Sequence, residues 1–214
     1  MTGRVGNIDT STLVKPPIGH LAVVSLRSLP GSPYSQSLPL DPSLKTARES
    51  HDAFEKRVWK TKAHWHEGVM VIPGTSFTGA MIEACRKFGH QVPGRARKTY
   101  TSFFEAGVLV QGARAVLYDQ NGDTVTEETI QSVDLLQSAA GKKGKLSGSR
   151  VWRRFPIVQA WTADVCFYVM DDTITQDIFE KVLTEAGMFV GIGRWRPENG
   201  GNNGRFEITK SQWI

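Results

Sequence analysis

Apolar residues recur in this chain with a period of two in some stretches and at three- and four-residue steps in others, and these periods mark the elements. A strand is predicted over residues 19–29, GHLAVVSLRSL, and a shorter one over 68–74, GVMVIPG. Between them PGSPYSQSLPLDP is a proline- and serine-rich loop. Residues 43–62 read as a helix, with Asp41 or Ser43 as cap and Ala47, Phe54, Val58 and Trp59 as its apolar stripe. Thr75 or Ser76 is placed to cap a second helix, running to about residue 88 on Phe77, Met81, Ala84, Cys85 and Phe88. Residues 107–119 read as two strands or one bent strand, followed by the turn signal Asn121-Gly122. A long strand over 156–170 puts Trp161, Ala163, Val165, Phe167 and Val169 on one face, with Thr162, Asp164, Cys166, Tyr168 and Met170 on the other. A helix from Thr173 or Thr175 to Gly187, its expected C-terminal cap, precedes a last strand over 204–210.

Two strand–helix–strand units in this order are the split plan of an α+β, ferredoxin-like or RRM-like fold. The expected architecture is an antiparallel sheet with helices on one face and long loop insertions. The other face stays free, and RRM-type domains use that face for RNA. The whole chain, 1–214, is read as one domain. Residues 1–18 form a loosely ordered arm, 30–66 an insertion, 136–154 a long basic loop, and 187–205 a glycine-rich loop.

Hydrophobic residues make up 40% and charged residues 22%, the mix of a soluble globular protein. No run approaches the roughly 20 apolar residues of a membrane helix. The first residues lack the apolar stretch of a secretory signal, so a cytoplasmic protein is expected. Cys85 and Cys166 sit in apolar segments, as buried free thiols do, and no cysteine pair has metal-ligand spacing. No metal and no cofactor are expected.

Lys and Arg outnumber Asp and Glu 26 to 21, and their distribution says more than the excess. One cluster holds Arg86, Lys87, Arg95, Arg97 and Lys98. Another holds Lys142, Lys143, Lys145, Arg150, Arg153 and Arg154. Arg194, Arg196 and Arg205 make a third. Each is interleaved with aromatics or glycine, a pattern that suits a polyanion.

Two segments are specific enough to name residues. In GMFVGIGRWRPENGGNNGRFEI, 187–208, Gly191, Gly193, Gly200, Gly201 and Gly204 permit close backbone approach. There Arg194, Trp195 and Arg196 supply cations and a stacking surface for a phosphate backbone and an unstacked base. The glycines follow a helix and precede a strand, which reverses the order of a dinucleotide fingerprint. In VIPGTSFTGAMIEACR, 71–86, a strand ends at Pro73-Gly74, and Thr75 and Ser76 lie at a helix N-terminus, where free N–H groups attract anions. Plain helix capping is the other reading of those hydroxyls.

IPGTSFTGAM resembles the I-P-G-[ST]-[SF]-x-G-[AK]-[LM] signature of the RAMP superfamily of CRISPR systems. VGIGRWRPENGGNNGRFEI resembles that superfamily's C-terminal glycine-rich loop, and RRFPIVQAW before the long strand is similar too. The likeness covers roughly residues 68–210 and is nearest to the crRNA-binding backbone subunits, the Cas-seven type, or a phage-encoded relative. It implies single-stranded guide RNA as partner, self-association into a filament, and other Cas-type subunits in the same complex. It implies that Pro73 to Gly79 and Gly191 to Gly204 lie together beside the sheet, and that 136–154 is a thumb-like hairpin over the RNA.

RAMP relatives that cleave RNA use a loop aspartate or a histidine. Here His64, His66 and Asp41 are the candidates, since cleavage needs a base near the 2′-hydroxyl and an acid for the leaving oxygen. No hydrolase, phosphate-loop or metalloprotease motif is present, so binding is favoured over catalysis. Single-stranded DNA binding or annealing, in a protein of phage origin, and RAMP-type endoribonuclease activity are the alternatives.

Overall fold

The computed structural model describes residues 4–95, 97–140 and 146–214, and all their side chains except those of 4, 42, 138–140 and 146–149. Strands β1 (Arg4–Val5) and β2 (Ile8–Asp9) form a small hairpin ahead of β3 (His20–Ser28) and β4 (Tyr34–Ser35). Helix α1 (His51–Val58) precedes β5 (Trp65–His66), β6 (Val69–Pro73), α2 (Gly74–Phe88) and α3 (Thr101–Gly107). Then come β7 (Val108–Val110), β8 (Arg114–Tyr118), β9 (Gln131–Ala140), β10 (Leu146–Val158), β11 (Thr162–Val169), α4 (Gln176–Glu185) and β12 (Phe206–Trp213).

The main sheet runs β12-β3-β11-β8-β6-β5, with β7 also paired to β11. Strands β7 and β8 are one bent strand in effect. They meet β11 at its two ends, around Val169↔Val108 and Ala163↔Leu117. Taking that pair as one, β12, β3, β11 and β7/β8 have the order and antiparallel sense of a ferredoxin-like sheet. The first crossover contains α2 and the second contains α4, so the fold is α+β of the expected kind.

Alternation along β11 sets the core. Ala163, Val165, Phe167 and Val169 point under the helices, with Ala22, Val24 and Leu26 of β3 beside them. Helix α2 sinks Phe77, Met81, Ala84 and Cys85 into this layer, and α4 adds Phe179, Val182 and Leu183. Phe77 meets Phe167 and Phe206 edge-on, each at a centroid separation of 6.2 Å.

Several predicted elements differ. The long strand expected over 156–170 is two strands in different sheets. Strand β10 leaves at Val158 for a three-stranded sheet, β4-β10-β9, and the chain re-enters the main sheet at Thr162. The basic stretch 136–150 is chiefly hairpin strand, with Trp152 opposite Leu136 and Arg154 opposite Asp134. Its apolar residues are too sparse for a periodicity signal, and Lys142, Lys143 and Lys145 lie outside the described residues. The helix expected over 43–62 is confined to α1 between 3-10 turns at Pro42–Leu44 and Trp59–Lys62. The cap is Ser50, whose side chain accepts the Ala53 amide, and not Asp41 or Ser43. Gly187 is no cap either. Helix α4 continues into a π turn, Ala186–Val190, and ends at Gly191. A Cβ on Gly187 would lie 2.2 Å from the Phe206 carbonyl oxygen, so its bareness serves packing.

The arm changes the functional picture most. Residues 4–13 lie across the sheet face that an RRM-type domain leaves open. Val5 is fully buried there with Leu21, Val23 and Cys166. Asp164 latches the arm, accepting the Asn7 amide at 2.7 Å and the Ser25 hydroxyl at 2.5 Å. Tyr168, a stacking candidate on that face, packs beside this cluster, and its hydroxyl accepts Gln111 Nε2 at 2.9 Å. Burial also raises the Cys166 thiol to a pKa of about 11.

Placing a charge under the arm should therefore lift it. Val5→Asp removes about 1.5–3 kcal/mol of apolar burial and is expected to speed alkylation of Cys166 about tenfold or more. Cys85, buried beneath α2, keeps its rate. Residue-resolved mass spectrometry reads both thiols, and unchanged Cys166 labelling would show that the arm does not shield it.

Candidate nucleic-acid interface

The site begins where β6 runs directly into α2. Pro73 occupies the N-cap position and no side chain caps the first turn. Thr75 and Ser76 lie inside that turn, so the capping reading of these hydroxyls is set aside. The leading amides receive no side-chain oxygen, the condition for anion attraction at a helix start. Gly74 permits the tight entry, since a Cβ there would lie 2.7 Å from Val110 Cβ.

The second wall is the loop after Val190. Its glycines were expected to admit a partner, but most of them admit the chain itself. A Cβ on Gly193 would lie 2.5 Å from the Ser35 carbonyl oxygen, one on Gly204 1.8 Å from that of Ile192, and one on Gly201 1.9 Å from that of Trp195. Gly191 is closed off by Pro197, and Gly200 alone of the five faces open space. Hydrogen bonds Arg194 N–Ser35 O (2.8 Å), Gly204 N–Pro33 O (2.8 Å) and Ile192 N–Gly204 O (3.0 Å) pin the loop to the β4 segment. Trp195 is held at φ 58°, an unfavourable backbone for a bulky residue, with its ring 45% exposed.

These walls face each other. Thr75, Ser76 and Gly79 line a cleft of about 340 Å³ against Gly191, Gly193 and Arg196. A second hollow of about 340 Å³ shares Ser76, Gly193 and Arg196 and is lined further by Gln36, His64, Arg194 and Trp195. The two motif segments, more than a hundred residues apart in sequence, thus make one surface.

The cations of that region divide into spent and unspent. Arg86 pairs with Glu83 and Glu105, Arg154 grips Asp134 with two bonds of 2.6 and 2.7 Å, and Arg196 donates to Glu198 at 2.7 Å. Arg205 donates to the Met188 carbonyl oxygen. Arg150 is exposed on β10. Among the described residues, Arg153 and Arg194 have no carboxylate partner. The Arg194 guanidinium lies 3.6 Å from the Phe155 ring centroid and 4.4 Å from that of Trp195. Its Nη1 and the Nε of Arg153 are buried without a hydrogen-bond partner. Burial first, then the nearby Arg153 charge, lowers Arg194 to a pKa of about 10. Beneath them Lys62 stands 4.2 Å from the Phe155 centroid, donates to Glu55 Oε2, and reaches the Arg154 carbonyl oxygen at 2.7 Å.

Of the candidates for RNA cleavage, only His64 reaches the cleft. Its amide donates to Gln36 Oε1 at 2.6 Å, and burial lowers its pKa, favouring the neutral ring. His66 sits 3.8 Å from exposed Glu67 and lines neither hollow. Asp41 is exposed in its loop, where hydrogen bonds from Ser43, side chain first and then amide, hold its carboxyl below the usual range. The three are not assembled into one site. No group of three or more His, Cys, Asp or Glu side chains able to hold a metal occurs among the described residues. Tyr34, Gln36, Phe155 and the Lys62–Glu55 pair were not foreseen as part of this region. The one signal was an aromatic and a glutamine inside a proline-rich stretch otherwise read as loop.

No family model matches the chain. No curated protein matches it in sequence. Among solved structures it is similar to a chain of the type III-B Cmr-β complex bound to cognate target RNA, with 12% identity and a TM-score of 0.48, over 91% of this chain and 60% of that one. It is also similar to Cmr6 from Pyrococcus furiosus, with 12% identity and a TM-score of 0.44, over 89% of this chain and 98% of that one. The chain thus spans 60% of the length of the first of these structures.

A half-buried cation without a counter-ion is costly to hold. Arg194→Met keeps the ring contacts in apolar form and is expected to leave the thermal midpoint unchanged or higher, because removing a desolvated charge offsets the lost cation–π energy. Gly204→Ala acts oppositely. Its Cβ has no room and its φ is 69°, so a loss of about 3 kcal/mol or more is expected. Calorimetry of the two variants checks both signs.

Proposed function

We propose that this chain is a single-strand RNA-binding subunit of a CRISPR-like ribonucleoprotein, with the RNA seated in the cleft between the start of α2 and the glycine-rich loop. The observation that carries this reading is the meeting there of the two RAMP-like motifs around an arginine without a counter-ion and an exposed tryptophan. Uncapped amides of α2, Ser76 and Arg194 take the phosphates, and the outer face of Trp195 takes an unstacked base. Arg196 joins by exchanging Glu198 for a phosphate. The β9–β10 hairpin lies over the strand as a thumb; Lys142, Lys143 and Lys145, which follow β9 in sequence, lie outside the described residues. The strand is a guide RNA, and successive copies oligomerise along it beside other Cas-type subunits.

Binding here is sequence-tolerant, since phosphates and one stacking ring carry no base code. Ribonuclease action finds less support, because Asp41 and His66 stand outside the cleft that holds His64.

Fluorescence anisotropy with single-stranded RNA and DNA oligonucleotides of equal sequence tests the reading. Two to three neutralised phosphates give a slope of log K against log salt of about −1.4 to −2. Trp195→Ala is expected to cost about 1–3 kcal/mol of affinity. A flat salt response, or full affinity in both Trp195→Ala and Arg194→Ala, would remove the cleft as the binding site. Equal or tighter binding of DNA would replace guide RNA with single-stranded DNA as the ligand.

A further inference from the structure

The region above Phe155 has a feature that strand binding in the cleft does not by itself require. Arg153 comes from the hairpin strand β10 and Arg194 from the glycine-rich loop, two elements that meet here from distant parts of the sequence. Each carries a buried N–H group with no hydrogen-bond partner. Such groups are rare in folded proteins, and each calls for an acceptor. The carboxylate within reach of this region, Glu55, is already occupied. One of its oxygens takes both the Lys62 ammonium and the Arg154 amide. Three cations and one carboxylate therefore share the space around one aromatic ring. Burial lowers the pKa of Lys62 and Arg194 most, and the charge of Arg153 lowers both further, so the three charges act on one another. Arg86 and Arg154 nearby, by contrast, each have a carboxylate partner.

We infer that Arg153 and Arg194 form a clamp for a single phosphate group, which joins the base of the β9–β10 hairpin to the glycine-rich loop. The chemistry fits. A phosphate presents several acceptor oxygens to planar guanidinium edges, satisfies the orphaned N–H groups, and supplies the missing negative charge. The Phe155 and Trp195 rings hold the Arg194 guanidinium 3.6 and 4.4 Å from their centroids, and its Nη1 is left for the ligand. Lys62, held by Glu55 and the Arg154 carbonyl oxygen, stays in place as a fixed background charge. The ligand is a phosphodiester of the strand in the cleft, a step that rests on the function proposed above. Its consequence is mechanical as well as electrostatic: the phosphate adds a tie from the hairpin to the glycine-rich loop, beyond those that Lys62, Glu55 and Ser35 already make to β10.

The test uses the full chain and inorganic phosphate, with chloride at matched ionic strength as control. Phosphate is expected to raise the thermal midpoint by about 2–4 °C at concentrations a few times its dissociation constant. Arg153→Gln and Arg194→Gln should each abolish that increment, Arg27→Gln, at an ion pair with Glu207 on the main sheet, should keep it, and Arg153→Lys should retain part of it. No increment in the parent chain, or an increment surviving in both Gln variants, overturns the clamp. A single-stranded oligonucleotide then distinguishes the sources of the phosphate by hydrogen exchange. It should slow exchange in residues 150–157 of β10 in the parent chain, while in Arg153→Gln it binds through the cleft without that protection. Oligonucleotide binding with equal protection in Arg153→Gln also overturns the clamp and leaves the strand-binding reading intact. A phosphate increment without any oligonucleotide binding keeps the clamp, as a site for free phosphate, and removes the strand.

Discussion

The edge-on contact between Phe77 and Phe206 positions both walls of the cleft. Phe77 lies one turn into α2 and Phe206 is the first residue of β12, immediately after the glycine-rich loop. Both rings are fully buried. Burying one such ring is worth about 3–5 kcal/mol against truncation, a large part of a domain's net stability of about 5–15 kcal/mol. The contact therefore fixes the start of α2 and the end of the loop relative to each other, and the cleft is the space left between them. Gly187 completes the arrangement, because Phe206 occupies the place a Cβ would take. The walls of the cleft are thus set from below by the core.

Rigidity of the loop follows from the same economy. A glycine-rich segment free in solvent would carry a large entropy cost on binding. Here the costs are met in folding, as four of the five glycines are packed against the chain's own backbone or Pro197. Trp195 pays with an unfavourable backbone angle and is held exposed over Arg194. Strain concentrated at one exposed aromatic, in a loop pinned by backbone hydrogen bonds to the β4 segment, is what a preorganised surface looks like.

Much of the fold was legible because its signals are periodic. Alternation along residues 161–169 named the core face correctly, and the three- and four-step recurrence of Phe77, Met81, Ala84 and Cys85 located α2. What stayed hidden depends on distant partners. The hairpin strands 131–140 and 146–158 carry few apolar residues, so only their pairing with each other makes them strands. The arm looked unstructured because Val5 and Ile8 show no period, yet their burial needs a sheet face built from β3 and β11. At the site, sequence clustering brought the right segments forward but could not separate Arg194 from Arg196. That difference lies in the position of Glu198 and in the absence of any carboxylate beside Arg194.

The covered sheet face narrows where a single strand can run. In an RRM-type arrangement, aromatics on the open face of the central strands stack the bases. Here Val5, Leu21, Val23 and Cys166 close part of that face, and the Tyr168 hydroxyl is engaged by Gln111. Phe88 and Phe189 expose aromatic surface edge-on to each other at the end of α2. Exposed aromatic surface lies also at Trp195 on the glycine-rich loop and at Trp152 on the hairpin. Both belong to elements that meet around Phe155, since Trp195 borders the Arg194 guanidinium and Trp152 is adjacent in sequence to Arg153. On the function proposed above, a single strand that stacks on Trp195 meets the unpaired charge of Arg194 beside the same ring.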